Sequence, residues 1–253
     1  MNGRYRTKIN DKNCVVIGEV WEDASLKYSY GEEREYFRGM ELDGVMNYVF
    51  KVAILDYLTS GDGKAFADNV MEIVENYPKA SLDCCMTLID SHDTVRAINY
   101  LSGVDLSDKT KEERRDYRLS PEEYEKGKKR LKLASVLQFF LPGVPSVYYG
   151  DEVGMEGFED PINRRPFPWG KEDLDVLEHY KKLGALRKNH REVFLEPVRV
   201  YGEGSKVRIE RKSLVLDLDR DTGEWSYRFT SPTDITTEIM KKYDAAFRTL
   251  ADS

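Results

Sequence analysis

Apolar and polar positions fall into two alternating periods along this chain. The run Cys14 to Val20 (Cys-Val-Val-Ile-Gly-Glu-Val) is apolar and β-branched with no polar face, the pattern of a parallel strand covered on both sides. A weaker strand pattern, Asp43 to Val49, leads into a helical one that continues through Leu58. Lys64 to Tyr77 repeats the helical period at Val70, Ile73, Val74 and Tyr77, and Pro78 stops it. Leu82 to Ile89 predicts a third strand and Thr94 to Leu101 a helix. After a charged excursion over 102–118, Ser120-Pro121-Glu122-Glu123 supplies an N-cap, a proline at the first helical position and an acidic first turn. That helix runs to Leu141, where Pro142-Gly143 breaks it. Val144 to Tyr149 predicts a fourth strand, closed by Gly150-Asp151-Glu152, and Leu174 to Asn189 a further helix. Short alternating runs at Val198 to Tyr201, Lys206 to Glu210, Leu214 to Leu218 and Trp225 to Phe229 have Gly-rich turns and predict a small antiparallel sheet. Asp234 to Leu250 reads as an amphipathic helix.

Four strands each followed by a helix predict a parallel α/β layer over residues 1–192, with a small β domain and terminal helix over 193–253. Composition agrees: 253 residues with 40% hydrophobic and 34% charged positions can bury a sizeable core. A net charge of −7 argues against a nucleic-acid or anionic-membrane partner, because the basic run Lys126 to Lys132 is short and is expected to be a solvated helix face. The three cysteines, Cys14, Cys84 and Cys85, lie in apolar runs and read as reduced core thiols, which points to the cytoplasm. The segment Met1 to Asn10 lacks an apolar core, so no signal peptide is read, and no apolar stretch is long enough to span a bilayer. No metal-ligand set or cofactor motif stands out. Gly61-Asp62-Gly63-Lys64-Ala65 lacks the earlier glycine and the Ser or Thr of a phosphate loop, Gly202-Glu203-Gly204 falls in the antiparallel region, and no His-Glu-x-x-His or Gly-x-Ser-x-Gly is present.

Ligands of parallel α/β layers bind off the carboxyl ends of the strands, and the polar residues of interest lie there. Glu19 closes the first strand, His92 and Asp93 the third, and Asp151 and Glu152 follow the fourth. Carboxylates from different strands meeting on one rim suit glycosidic bond cleavage. Each also has a plain reading. Asp93 before Thr94 is placed to cap a helix, His92 to be a structural histidine, and Trp21 to fill core.

Four blocks shift the balance: Val16-Ile17-Gly18-Glu19-Val20-Trp21, Leu88-Ile89-Asp90-Ser91-His92-Asp93-Thr94, Pro142 through Glu152, and Asp160-Pro161-Ile162-Asn163-Arg164-Arg165-Pro166-Phe167-Pro168-Trp169. In order and spacing they resemble the α-amylase family of glycoside hydrolases, closest to its neopullulanase and cyclomaltodextrinase branch. The resemblance implies the back half, strands 5 to 8, of a TIM (β/α)8 barrel followed by a small C-terminal antiparallel β domain. It implies that Glu19 is the general acid and base, a role that requires a raised pKa, and that Asp93 stabilises an oxocarbenium-like transition state with His92 as partner donor to the same sugar. Trp21 then stacks on a glucose ring, and Asp160 and Arg164 clamp sugar hydroxyls unless they only hold their own loop. Met155 and Phe158 are candidates to line the cleft.

One block of the family pattern is missing. The nucleophilic aspartate belongs to a Gly-x-Arg-x-Asp block on the preceding strand, and none precedes Val16. The expectation is therefore a hydrolase fragment, acting on maltodextrins, cyclomaltodextrins or pullulan, whose isolated chain is inactive or nearly so. The alternative is a non-catalytic glucan-binding or interaction protein. Open strand edges predict a partner, either a second copy in a homodimer or the missing barrel half.

Overall fold

A computed structural model describes residues 14–25, 27–29, 31–38 and 41–230. The first strand, β1 (Ile17–Val20), pairs in parallel with β4 (Gly44–Asn47), with Glu19 opposite Met46. Between them lies a two-residue hairpin, β2 (Tyr28–Ser29) and β3 (Glu32–Glu33), which the hydrophobic pattern does not announce. The sheet continues through β5 (Met86–Thr87) to β6 (Val144–Pro145), all parallel and in chain order. This sequential order is that of an arc of a β/α barrel wall.

Helices connect the strands. α1 (Tyr48–Ser60), α2 (Gly63–Asn76) and α3 (Lys79–Cys84) lie between β4 and β5. α4 (Ala97–Ser102), α5 (Lys111–Asp116) and α6 (Pro121–Phe140) lie between β5 and β6, and α7 (Leu174–Asn189) and α8 (Arg191–Phe194) follow. α6 carries the capping box expected at Ser120 and Glu123, and its second half is buried almost throughout. Its last carbonyls are not left bare. Arg187 of α7 donates to the carbonyls of Phe139, at 2.5 Å, Leu141 and Gly143, and Arg211 donates to that of Phe140.

Four strands form the antiparallel sheet in the order β10-β9-β8-β7: β7 (Arg199–Glu203), β8 (Lys206–Arg211), β9 (Leu214–Asp219) and β10 (Trp225–Phe229). Val207, Ile209, Leu214, Leu216 and Leu218 join the core built by α1, α2 and α6.

Several expectations need correction. Leu82 to Ile89 is not one strand, since Pro78 opens α3 and the helix takes Leu82 to Cys84, leaving two residues for β5. Val144 to Tyr149 is likewise strand only at Val144–Pro145, the last bond to β5 being Ser146 N–H to the Thr87 carbonyl at 2.8 Å before the chain turns toward Gly150. The run from Cys14 is not covered on both sides. β1 is an edge of the described sheet, Val15 is 64% exposed, and Cys14 is a surface thiol, not a core one. Residues 102–118 include α5, capped by Thr110 and Glu113 yet with no buried residue. The helix expected over 234–250 lies outside the described residues. Among those described, no helix is long and apolar enough to cross a membrane.

Candidate active site

Three strand ends meet around one tyrosine. Glu19, third residue of β1, has an exposed side chain. Tyr48 opens α1 one residue past β4, with a buried ring. Its hydroxyl donates to Ser91 Oγ at 3.0 Å and lies 3.5 Å from Glu19 Oε1. Burial raises the Tyr48 pKa, and the negative fields of Glu19 and Asp93 push it the same way while the Ser91 hydrogen bond opposes, so the hydroxyl stays a neutral donor. Trp21 stacks flat on the same ring, centroids 3.9 Å apart at 11°, and is about half exposed. One indole face is therefore taken by Tyr48.

The segment after β5 forms a tight turn. Ser91 N–H donates to Thr94 Oγ1, Asp93 N–H to Ser91 Oγ, and Thr94 N–H to the Ser91 carbonyl. Asp93 does not cap the next helix: the first N–H of α4, on Ala97, donates to Asp90 Oδ2 at 2.8 Å. The Asp93 carboxylate instead lies between two nitrogen partners, with His92 Nε2 3.2 Å from Oδ2 and the Arg164 guanidinium Nη2 3.2 Å from Oδ1. Arg164 Nε sits 2.6 Å from Asp160 Oδ1 and also donates to the His92 carbonyl. The guanidinium therefore joins the 160–164 loop to the His92-Asp93 turn as well as bracing its own loop. Asn163 makes a second tie, its Nδ2 donating to the carbonyls of His92 and Thr94 at 2.7 Å each.

Asp151 is absent from this rim. It is 2% exposed and lies beneath, with its Oδ1 3.2 Å from Nη1 of the fully buried Arg96. Glu152 turns back to accept from Gly150 N–H. Met155 and Phe158 are buried and do not line an open cleft. The rim thus gathers Glu19, Trp21, His92, Asp93, Asp160 and Arg164, with Tyr48, Ser91, Asn163 and Arg96 as supports that the sequence reading passed over. Tyr48 carried a signal, since it lies at the carboxyl end of the strand pattern Asp43 to Val49. Arg96 carried one too, as the lone cation of an otherwise apolar helix start.

The family model described as "Alpha amylase, catalytic domain" matches residues 2–172. An amylopullulanase of Thermoanaerobacter thermohydrosulfuricus is 31% identical over 256 residues, covering 95% of this chain and 16% of that protein. A cyclomaltodextrinase of Geobacillus thermopakistaniensis is 32% identical over 192 residues, covering 74% of this chain and 27% of that protein. Among solved structures, the type III pullulan hydrolase from Thermococcus kodakarensis superposes with a TM-score of 0.68 at 26% identity, covering 86% of this chain and 36% of that one. The cyclic α-maltosyl-(1→6)-maltose hydrolase from Arthrobacter globiformis, solved with maltose, gives a TM-score of 0.68 at 22% identity over 85% of this chain and 44% of that one, a likeness of fold. This chain spans less than a third of the length of either of these two curated relatives.

Proposed function

The chain belongs to the α-amylase family of glycoside hydrolases, and on that footing we propose that it carries the acid/base half of a retaining α-glucan hydrolase site. Glu19 protonates the glycosidic oxygen and later deprotonates water. Asp93 and His92 hold hydroxyls of the sugar whose ring gains positive charge, Asp93 offsetting that charge. Trp21 offers its free face to a neighbouring glucose, and Asp160 with Arg164 grips a further one. The substrates follow the relatives' names: maltodextrins, cyclomaltodextrins and pullulan.

The observation that carries this reading is the Tyr48 hydroxyl, within 3.5 Å of Glu19 and hydrogen-bonded to the serine that opens the Ser-His-Asp turn. It links side chains from separate strand ends.

A retaining mechanism also needs a nucleophilic carboxylate, and no Gly-x-Arg-x-Asp block precedes Val16. These 253 residues taken by themselves are therefore expected to bind glucan without turning it over. Turnover needs a nucleophilic carboxylate from outside these 253 residues, on the same polypeptide or another, carried by a segment that pairs with the edges of the described sheet at β1 and β6. Two measurements test the reading. Calorimetry with maltodextrin is expected to show binding that Asp93→Asn weakens, and reducing-sugar release is expected only when a family segment bearing the Gly-x-Arg-x-Asp block is added. Release must then vanish in Glu19→Gln. Binding with no release under any pairing favours a purely glucan-binding protein, and no binding at all removes the proposal. Sedimentation distinguishes a homodimer from a chain that awaits a different partner.

A further inference from the structure

The segment between β5 and α6 holds a helix with nothing to bury. α5 has no buried side chain, and its six residues are too few to persist as a helix in water on propensity alone. The Thr110-Glu113 capping box closes its first turn, and Arg114 Nε donates back to the Lys109 carbonyl at 3.0 Å. Across the chain the segment reaches toward residues 156–165. Arg114 Nη1 donates to Glu159 Oε1 at 2.6 Å, and Arg165 Nη2 donates to the Arg115 carbonyl. Two more contacts follow: the Tyr117 ring meets Phe158 edge-on with centroids 5.8 Å apart, and Leu119 N–H donates to Glu156 Oε2 at 2.8 Å.

Glu159 and Arg165 are the residues that immediately flank Asp160 and Arg164. The segment that carries the sugar clamp is therefore an arch whose two feet stand on Arg114 and Arg115, consecutive residues of α5. Within the arch, Ile162 N–H donates to the Glu159 carbonyl at 2.8 Å and Arg164 N–H to the Pro161 carbonyl at 3.1 Å. Its crown is tied elsewhere, through Asn163 and Arg164 to the His92 carbonyl and through Arg164 to Asp93. A loop anchored at one point can pivot about it. Anchors at the feet and at the crown leave it one position.

We propose that α5 is a brace that sets the 160–164 arch against the His92-Asp93 turn, with Arg114 and Arg165 as its positioning residues. The inference rests on the proposed function only in naming glucan as what the arch grips; the brace belongs to the chain without ligand. Neither guanidinium has to touch sugar. Their effect is pre-organisation, since an arch already held in place does not have to be ordered when the sugar arrives. The coupling runs both ways, so glucan held by Asp160 and Arg164 should in turn steady α5.

Amide hydrogen exchange of the full chain, with and without maltodextrin, tests the brace. Without ligand, Arg114→Met and Glu159→Ala should each speed exchange at Ile162 and Arg164 several-fold, while α6 and α7 exchange as in the native chain. The double variant should exchange no faster than the faster single, because both substitutions remove the same contact. Arg165→Met acts on the other foot, so its effect should add to that of Arg114→Met. The Arg114–Glu159 pair is partly exposed, and Tm should stay within about two degrees of native in either single variant. Maltodextrin should slow exchange across α5 in the native chain and fail to do so in Arg114→Met. By calorimetry, affinity should fall about threefold in Arg114→Met, in Glu159→Ala and equally in the double variant. Native exchange at Ile162 and Arg164 in Arg114→Met, faster exchange confined to α5, or losses that multiply in the double variant would each overturn the proposal. So would a native chain that binds maltodextrin with no slowing in α5. If the native chain binds no glucan, the functional reading falls while the ligand-free exchange still decides the brace.

Discussion

Lowering the pH from 7 to 4 should weaken the fold through one histidine far from the rim. His179 of α7 is wedged against α6, its Nε2 2.9 Å from Ser135 Oγ and 3.1 Å from the Lys132 carbonyl, with Trp225 of β10 edge-on to the ring. The carbonyl can only accept, so Nε2 carries the hydrogen, and it is burial that keeps the ring neutral at pH 7. Burial comes first, and the nearby Lys132 ammonium second, in lowering its pKa from 6.5 to about 4, against a smaller pull from Asp175. The unfolded chain therefore binds a proton at this position more readily than the folded one between those values. Stability from this group is full above about 6.5, falls as pH drops through the window, and levels off below about 4. At about 1.4 kcal/mol per pH unit the full displacement corresponds to about 3 kcal/mol. The ring is only partly buried, so screening by water reduces this to about 1.5 kcal/mol, a fall of a few degrees in Tm. Carboxylates titrate in the same range, so the informative quantity is a difference. Urea unfolding of the native chain and of His179→Gln near pH 7 and near pH 4 should show the native chain losing about 1.5 kcal/mol more than the variant. Parallel losses in the two proteins would refute the reasoning.

Arg187→Met should lower stability by about 2–4 kcal/mol in urea unfolding, because three carbonyls at the end of α6 lose their donor inside the protein and the guanidinium leaves the Phe194 ring it covers at 4.4 Å. Tyr48→Phe keeps the ring under Trp21 but removes the hydroxyl, so the reading of the rim expects a several-fold loss of maltodextrin affinity by calorimetry, with stability changed by about 1 kcal/mol. Trp21→Ala should remove most of any glucan-induced change in tryptophan fluorescence, since Trp225 is packed into the α7 seam, with Trp169, 80% exposed on the 160–170 loop, as the source of what remains; an undiminished change counts against Trp21 as the stacking residue.

Where local chemistry and burial agree, the pattern of residues already marks the elements. The helix Leu174–Asn189 begins at Asp173, whose carboxylate accepts from the N–H groups of Asp175 and Val176, and the strand Trp225–Phe229 has the bounds expected of it. The parallel α/β layer and the antiparallel sheet are both there. Apolar runs next to proline misled, because a run such as Leu82 to Ile89 is equally apolar as the end of a helix and the start of a strand. α5 shows the opposite failure: with no buried residue it has no periodicity to detect, and only its Thr110-Glu113 capping box betrays it. On the rim, residues with obvious chemistry were visible in the sequence, but their supports were not. Asp151 looked like a rim acid because it follows a strand, and only the fold shows that Arg96 draws it inward. Position after a strand limits a side chain to one end of the sheet without saying whether it faces solvent or the layer below.

The two glycine pairs that resemble failed phosphate loops illustrate the same limit, and they explain how the small sheet is attached. Gly63 opens α2 and Gly202 lies in β7, and the two meet backbone to backbone. Gly63 N–H donates to the Gly204 carbonyl at 2.7 Å. A Cβ on Gly202 would lie 1.7 Å from the Gly63 carbonyl oxygen, and one on Gly63 would lie 2.4 Å from that of Lys206. Neither clash is with a flexible side chain, so neither can be relieved by a rotamer change. The contact is reinforced beside it by Tyr57, whose hydroxyl donates to the Ser205 carbonyl at 2.6 Å, and by Arg220, which donates to the carbonyls of Leu58 and Thr59. Gly202→Ala should therefore push β7 off α2, breaking a hydrogen bond and opening apolar surface shared by Val207, Phe66 and Val70. The expected loss is about 3 kcal/mol or more, in the range of severe core disruption. Gly204→Ala, where no atom lies within 4 Å but φ is +54°, should lose only about 1 kcal/mol from backbone strain. If urea unfolding ranks these two substitutions the other way, close backbone approach is not what joins the antiparallel sheet to the α/β layer.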